Sequence, residues 1–431
     1  MERMGGAMRA NFVDTLLARL DGEVATIWAT VLLRIDARPD VARLRGALRA
    51  LVRESERLNV AWDDARGAWV PAPRTDGAVD AALLEGAEPL DEPEAVTRVI
   101  NTRVDLARDV PLRLHLHPLA DGAPGPWLLA IQLHHAIGDA KALAHLLERL
   151  WLHCAGRASE SPPLGPSTLT DGKVLLAALR GPGRVLGLAS PRRRLLAQRG
   201  LGLRRSGDTA GRSLMATARL TLPAGRTDVQ ASEVFFAALL AGVALREPTR
   251  DGLIRLRVPV DLRRMLGLGR MLGNGCSTVP LELPLREVRA RLEDAPALAA
   301  LVREALRRVL DEGVHWTTAL ECMAVARLAP GPVLRRNARP GLVAEPRTNT
   351  LVATYLGRLD KHFVDAPFRI HSLRSHTATW GATGLGFGDT LTLNTATFEG
   401  LWTRGELRDF TEQLAGWAST GFGLPAEVVG P

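Results

Sequence analysis

An apolar run that stops at two histidines constrains this chain more than any other stretch: Trp127-Leu-Leu-Ala-Ile-Gln-Leu-His134-His135-Ala-Ile-Gly-Asp139-Ala140. From Trp127 to Leu133 only Gln132 is polar, which suits a strand buried on both faces better than one with a wet side. Beyond it, Ala142, Leu143, Leu146, Leu147, Leu150 and Cys154 recur at spacings of three and four, so a helix follows, with Asp139 as its N-cap. Successive side chains on a strand point to opposite faces, so His134 and His135 diverge: one is buried and the other can face a cavity. That divergence argues against a metal held by the adjacent pair, and no ligand at the usual i+4 spacing joins them. A general base is the better functional reading, because the positive end of the following helix favours a neutral imidazole that can accept a proton. The plainer alternative is a pair of core histidines satisfied by backbone carbonyls.

Two histidines, three residues, an aspartate and a small residue, set on strand, loop and helix, resemble the HHxxxDG signature of the CoA-dependent acyltransferase superfamily. That superfamily includes nonribosomal peptide condensation domains, BAHD acyltransferases, wax ester and diacylglycerol synthases, and alcohol acetyltransferases. The resemblance implies an α/β fold of two chloramphenicol-acetyltransferase-like lobes, each a mixed sheet flanked by helices, with the active site in a tunnel between them. It makes His135 the catalytic base and casts His134 and Asp139 as structural. Ala140 stands where the signature has glycine, which adds a methyl where backbone approaches substrate. The resemblance pairs Asp139 with an arginine at the end of the segment Val260-Asp-Leu-Arg263-Arg264; strand alternation sends the two arginines in opposite directions, and Arg263 is the expected partner. It places Gly273-Asn274-Gly275-Cys276-Ser277 along the tunnel, so Asn274 and Ser277 are tunnel-lining candidates. Tyr355, the only tyrosine, is a third; the alternative is an ordinary strand aromatic.

A length of 431 residues is enough for two domains, and 46% hydrophobic with 24% charged residues are globular values. Fifty-five Lys and Arg against 47 acidic residues leave a net charge of +8, weak support for an anionic partner such as CoA or an acidic carrier protein. With one tyrosine and no basic run interleaved with aromatics, nucleic acid is not expected. Cys154, Cys276 and Cys322 are odd in number and far apart, which fits a reducing cytoplasm better than a disulfide scaffold or a zinc site. The N-terminus lacks a hydrophobic signal core and no run of 18 apolar residues occurs, so a cytoplasmic protein is expected.

The chain divides into an N-terminal lobe over 1–160, a basic crossover over 161–212 and a C-terminal lobe over 213–431. In the first lobe the pattern predicts a strand over 23–36, a helix from Asp40, a strand pair from Asn59 to Pro71 turning at Asp63 to Gly67, a helix over 93–106 and a strand from Leu112 to Pro118. The crossover is broken by Pro162-Pro163 and Gly181-Pro-Gly183 and carries Pro191-Arg-Arg-Arg and Leu203-Arg-Arg. A solvated basic face is favoured there over peripheral membrane contact, since Gly and Pro interrupt every amphipathic segment. Further on, strands are expected at 214–222, 253–264, 350–357, 367–377 and 390–398, and helices at 228–245, 285–310, 316–329 and 404–420. Gly384-Leu-Gly-Phe-Gly-Asp389 lacks the helix that a phosphate loop needs and reads as a turn.

The resulting expectation is an acyltransferase that moves an acyl group from acyl-CoA or another pantetheinyl thioester to a small-molecule alcohol or amine, in secondary or lipid metabolism. The backbone around Gly138 and Ala140, at the helix N-terminus, is the candidate oxyanion stabiliser. No nucleophile elbow is present, so no acyl-enzyme is expected, and neither a metal nor a bound cofactor is implied. The alternatives are a stand-alone condensation enzyme using an acyl or peptidyl carrier protein, and a non-catalytic docking relative, whose expected mark is a damaged His-His-Asp set.

Overall fold

A computed structural model describes residues 3–4, 7–8, 10–21, 27–120, 125–166, 169–179, 200–203, 211–223, 230–329, 331–334, 350–377 and 380–429. The basic segments Pro191-Arg-Arg-Arg and Arg204-Arg205 of the expected crossover lie outside the described residues.

The histidine strand, Trp127–His134, lies in the middle of a five-stranded sheet. Its neighbours are Trp28–Ile35 and Leu112–Pro118, both antiparallel to it, and the edges are Ile370–Thr377 and Leu83–Glu85. Alternation explains why the strand is apolar throughout. Leu129, Ile131 and Leu133 pack into a core with Leu48 and Leu51 of helix Val41–Glu54 and Leu146, Leu147 and Leu150 of helix Ala140–Cys154. On the other face Leu128 and Ala130 meet Val96 and Val99 of helix Glu92–Ile100, and also Met215 from the second sheet. The lone polar residue, Gln132, is fully buried and satisfied: its amide nitrogen donates to Thr30 Oγ1 at 3.3 Å and the Val99 carbonyl at 3.2 Å, and its oxygen lies 2.8 Å from His115 Nε2.

The second sheet has seven strands in the order Cys276–Pro284, Leu253–Asp261, Leu351–Arg358, Gly381–Phe387, Thr390–Phe398, Ser213–Thr221 and Ala426–Val429. Helix Ala231–Arg246, apolar all round, is buried beneath it beside helix Arg404–Phe422. The mixed α/β, two-sheet architecture is the fold class that the histidine motif implies.

Several elements depart from the pattern reading. Gly384 to Phe387 is strand, not turn: a Cβ on Gly384 would come within 2.5 Å of the Phe235 ring, so glycine here lets a helix press against the sheet. The helix expected over 285–310 is two, Leu285–Arg289 and Ala295–Asp311, because Asp294 caps a new start with proline in its first turn. The helix expected over 93–106 ends at Ile100, and strand Cys276–Pro284 was not anticipated. Nor was helix Phe12–Leu20, which a reciprocal cap between Asn11 and Asp14 begins. The sheets do not follow chain order either. Strand Ile370–Thr377, from the last third, completes the first sheet by pairing with Trp28–Ile35, while helix Phe12–Leu20 packs on helix Val314–Leu328. Within the crossover, read from its sequence as a linker carrying one or two short helices, Asp171–Leu179 is helical in keeping with that reading, and Gly165–Pro166 pairs with Met271–Leu272. Among the described residues no helix is long and apolar enough to cross a membrane.

Buried histidines make stability depend on pH. Burial pushes His115 down to about 4 and His376 down to about 3 from an ordinary 6.5. Both stay neutral in the fold while the unfolded chain takes up protons, so their contribution is present above pH about 6.5 and is lost as pH falls toward 4. The expected result is a melting temperature that falls across this window, with a shallower fall in His376→Leu; an unchanged slope in that variant refutes the assignment.

Candidate active site

His134 and His135 leave the strand on opposite sides, as side-chain alternation requires. His134 is fully buried; its Nε2 lies 2.9 Å from Asp21 Oδ1, its Nδ1 accepts the Ala136 amide at 3.2 Å, and its ring meets Trp28 edge-on at 5.7 Å. His135, one residue past the strand, is partly exposed. Its Nδ1 lies 3.2 Å from Asn274 Oδ1.

That contact fixes the tautomer of His135. Asn274 is fully buried, and its Nδ2 donates to Asp14 Oδ1 at 2.8 Å and to the His135 carbonyl at 2.7 Å. Both partners are acceptors, so the amide cannot be turned around, and only its oxygen can face the imidazole. Nδ1 therefore carries the proton and donates it to Asn274, which leaves the lone pair on Nε2. Asn274 accordingly sits beneath the histidine and lines no open space; the expectation that it lines a tunnel is corrected to this one.

Asp14 anchors the arrangement, and sequence reasoning passed over it. It is fully buried, and Arg57 Nη2 donates to its Oδ2 at 2.7 Å while also reaching the Ile137 carbonyl of the histidine loop at 3.2 Å. Asn11 Nδ2 donates to the Asn274 carbonyl at 3.1 Å. The capping pattern Asn11-x-x-Asp14 was a legible sign of a helix start, but nothing local linked it to a residue on the far side of the chain.

Asp139 does two jobs. Its Oδ1 caps helix Ala140–Cys154 through the Ala142 amide at 3.0 Å. The same carboxylate takes a forked pair from Arg263, Nη2 to Oδ1 at 2.8 Å and Nη1 to Oδ2 at 2.9 Å, and the Gly275 amide at 2.8 Å. Burial works against the charge, but Arg263 and the amides of Gly275 and Ala142 outweigh it and hold the carboxyl below its usual range. A Cβ on Gly275 would fall 2.8 Å from the Arg263 guanidinium, so glycine is what lets this loop close over the pair. Arg264 is exposed.

The Gly138 amide is already committed to the His134 carbonyl at 3.3 Å, which removes it as an oxyanion donor. Ala140, partly exposed at the first position of its helix, has an amide with no acceptor inside the helix. Ser277 is buried and donates to the His315 carbonyl at 2.6 Å. Tyr355 is partly buried against Phe235, and burial pushes its phenol up. An open cleft of about 740 Å³ lined by Arg34, Glu92, Arg219, His371 and Glu427 lies at the other end of the histidine strand. At the usual rise per residue that end is about 25 Å from His135, too far to share its chemistry.

The five- and seven-stranded sheets with their helices make up a fold that solved acetyltransferase and condensation-domain structures share. The chain superposes on the TRI3 trichothecene 15-O-acetyltransferase of Fusarium sporotrichioides with a TM-score of 0.65 and 11% identity, over 96% of this chain and 95% of that one. It superposes equally well, at 0.65 with 21% identity, on the first condensation domain of the CDA synthetase, over 96% of this chain and 97% of that one. The starter condensation domain of rhizomide synthetase, solved with C8-CoA and Leu-SNAC, aligns at 0.61 with 14% identity, over 96% of this chain and 95% of that one. By sequence, a probable non-canonical nonribosomal peptide synthetase of Salinispora arenicola, CymA, is 29% identical over 152 residues, which span 35% of this chain and 2% of that synthetase. No family model matches the chain.

Proposed function

We propose that this chain is an acyltransferase that moves an acyl group from acyl-CoA, or another pantetheinyl thioester, to a hydroxyl or amine. The observation that carries the reading is the imidazole of His135, partly exposed and held at Nδ1 by Asn274 so that the lone pair lies on Nε2. In the proposed step Nε2 takes the proton of the acceptor as its oxygen or nitrogen attacks the thioester carbonyl. The tetrahedral oxyanion that forms is stabilised by the Ala140 amide at the helix N-terminus. Collapse breaks the carbon–sulfur bond, and the departing thiolate recovers the proton from the imidazolium. His134, Asp139 and Arg263 shape the loop without exchanging protons, and the proposed chemistry runs without a bound cofactor.

The test is release of free thiol from a panel of acyl-CoA donors with alcohol and amine acceptors, with product masses read in parallel. Transfer from CoA donors supports the reading. Transfer only from an acylated carrier protein favours the condensation reading instead, which the likeness to condensation domains and to the CymA segment supports. No transfer from either donor type points to a docking role. Asn274→Ala removes the hydrogen bond to His135 Nδ1 along with those to the His135 carbonyl and Asp14, so kcat is expected to fall by about tenfold or more. An unchanged kcat sinks the tautomer argument.

Basic residues also bear on the donor. With a net charge of +8, CoA affinity is expected to weaken as salt rises from low to physiological strength, as calorimetric titration at two ionic strengths would show. Affinity independent of salt contradicts an electrostatic contribution to donor binding.

A further inference from the structure

Helix Ala140–Cys154 carries a second pair of polar side chains, one turn further from the histidine loop, that the proposed chemistry does not use. His145 and Glu148, three apart, project from the same helix face. They meet His362 at the end of the short turn Asp360–His362, which follows strand Leu351–Arg358 of the second sheet. His362 Nδ1 lies 3.2 Å from Glu148 Oε2, and His145 Nδ1 lies 4.0 Å from the same oxygen. One nitrogen from each histidine and one carboxylate oxygen all fall within 4.8 Å of one another. The side chains are shielded, 13% exposed for His145, 28% for Glu148 and 1% for His362. Among the described residues His145 Nδ1 has no hydrogen-bond partner.

We propose that His145, Glu148 and His362 bind one divalent transition-metal ion of the zinc class. Two imidazoles and a carboxylate are the donor set such ions take, whereas magnesium and calcium prefer oxygen alone. Around a tetrahedral ion with bonds of ordinary length, ligand atoms stand about 3.3 Å apart. The two histidine–carboxylate separations, 3.2 and 4.0 Å, bracket that value, so rotamer adjustments close the site. Arg270 Nη2 holds the other oxygen of Glu148 at 3.1 Å, which orients the carboxylate and leaves Oε2 facing the histidines. Partial exposure of Glu148 leaves a side from which water can supply a fourth ligand.

The ion would staple the helix that begins at Asp139 to the turn that leaves the second sheet, fixing the histidine loop from below. Its role is structural, and it does not depend on the acyl-transfer reading. Sequence spacing hid the site, because His362 lies far along the chain from the His145-x-x-Glu148 pair.

The test uses tag-free protein stripped with a chelator and titrated with zinc chloride by calorimetry, then with cobalt chloride by visible absorption. The expected result is one tight equivalent of zinc, a cobalt spectrum of four-coordinate imidazole and carboxylate ligation, and a higher melting temperature with zinc. The double variant His145→Ala, His362→Ala is expected to lose both the stoichiometric phase and the thermal shift. Glu148→Gln, a milder change at a partly exposed position, is expected to weaken binding while the far-ultraviolet circular dichroism stays native. No stoichiometric binding by the wild-type chain overturns the proposal. So does undiminished binding by either folded variant.

Discussion

Replacing His135 with alanine is expected to lower acyl transfer by about 10² to 10⁴, the size of a lost general base, while the protein keeps its fold. The side chain is partly exposed and among the described residues is hydrogen-bonded to Asn274, so its removal opens little core. Its neighbour behaves differently. His134 is buried against Trp28, accepts the Ala136 amide and lies beside Asp21, so alanine there leaves a cavity and an orphaned amide. That change is expected to lower stability by roughly 1 to 3 kcal/mol. Activity measured well below the variant's melting temperature should fall far less than in His135→Ala. Steady-state rates paired with thermal melts separate the two effects. Near-native turnover by His135→Ala, or a kinetic defect confined to His134→Ala with unchanged stability, reverses the assignment.

The contrast between these histidines was readable because strand alternation has a period of two and the strand runs to its last residue before the loop. Helix Ala140–Cys154 and its Asp139 cap were equally readable, since the cap residue and the spacing of Leu143, Leu146, Leu147 and Leu150 are local. Asn274, by contrast, was legible only as part of a glycine-flanked loop. Its position depends on Asp14 and His135, which no local pattern connects to it. Gly384 and Gly386 misled in the opposite way. Glycine usually punctuates turns, but here it admits Phe235 and the Arg358 side chain against a central strand, a demand set by a helix that starts far upstream. Strand Ile370–Thr377 was expected as a strand, yet its place in the first sheet follows from tertiary pairing with Trp28–Ile35. Local patterns thus gave the strand, loop and helix around the histidines, and long-range contacts decided how they are held.

The carboxylate of Asp139 is where those long-range contacts concentrate, and a double-mutant cycle measures how strongly. Arg263 reaches it from the loop that follows strand Leu253–Asp261 and is itself pinned by the Gly273 carbonyl at 2.7 Å and Asp261 at 3.1 Å. Both members of the pair are buried. Removing either one strands the other charge away from water, so Asp139→Ala and Arg263→Ala are each expected to cost about 3 to 5 kcal/mol. A helix cap alone would cost about 1 kcal/mol, which sets the scale for the competing explanation. Asp139→Ala loses the cap as well as the pair, whereas Arg263→Ala leaves the carboxylate with two amides, those of Gly275 and Ala142. The aspartate variant should therefore remain the less stable of the two in the Arg263→Ala background, by about the worth of those amide contacts. The double variant is expected to lose considerably less than the sum of the single losses, because each single variant leaves its partner without its main counter-charge and the double variant does not. Chemical denaturation of the four proteins supplies the cycle. Additive losses would reduce Asp139 to a cap and would mean that Arg263 stabilises the loop through Gly273 and Asp261 alone.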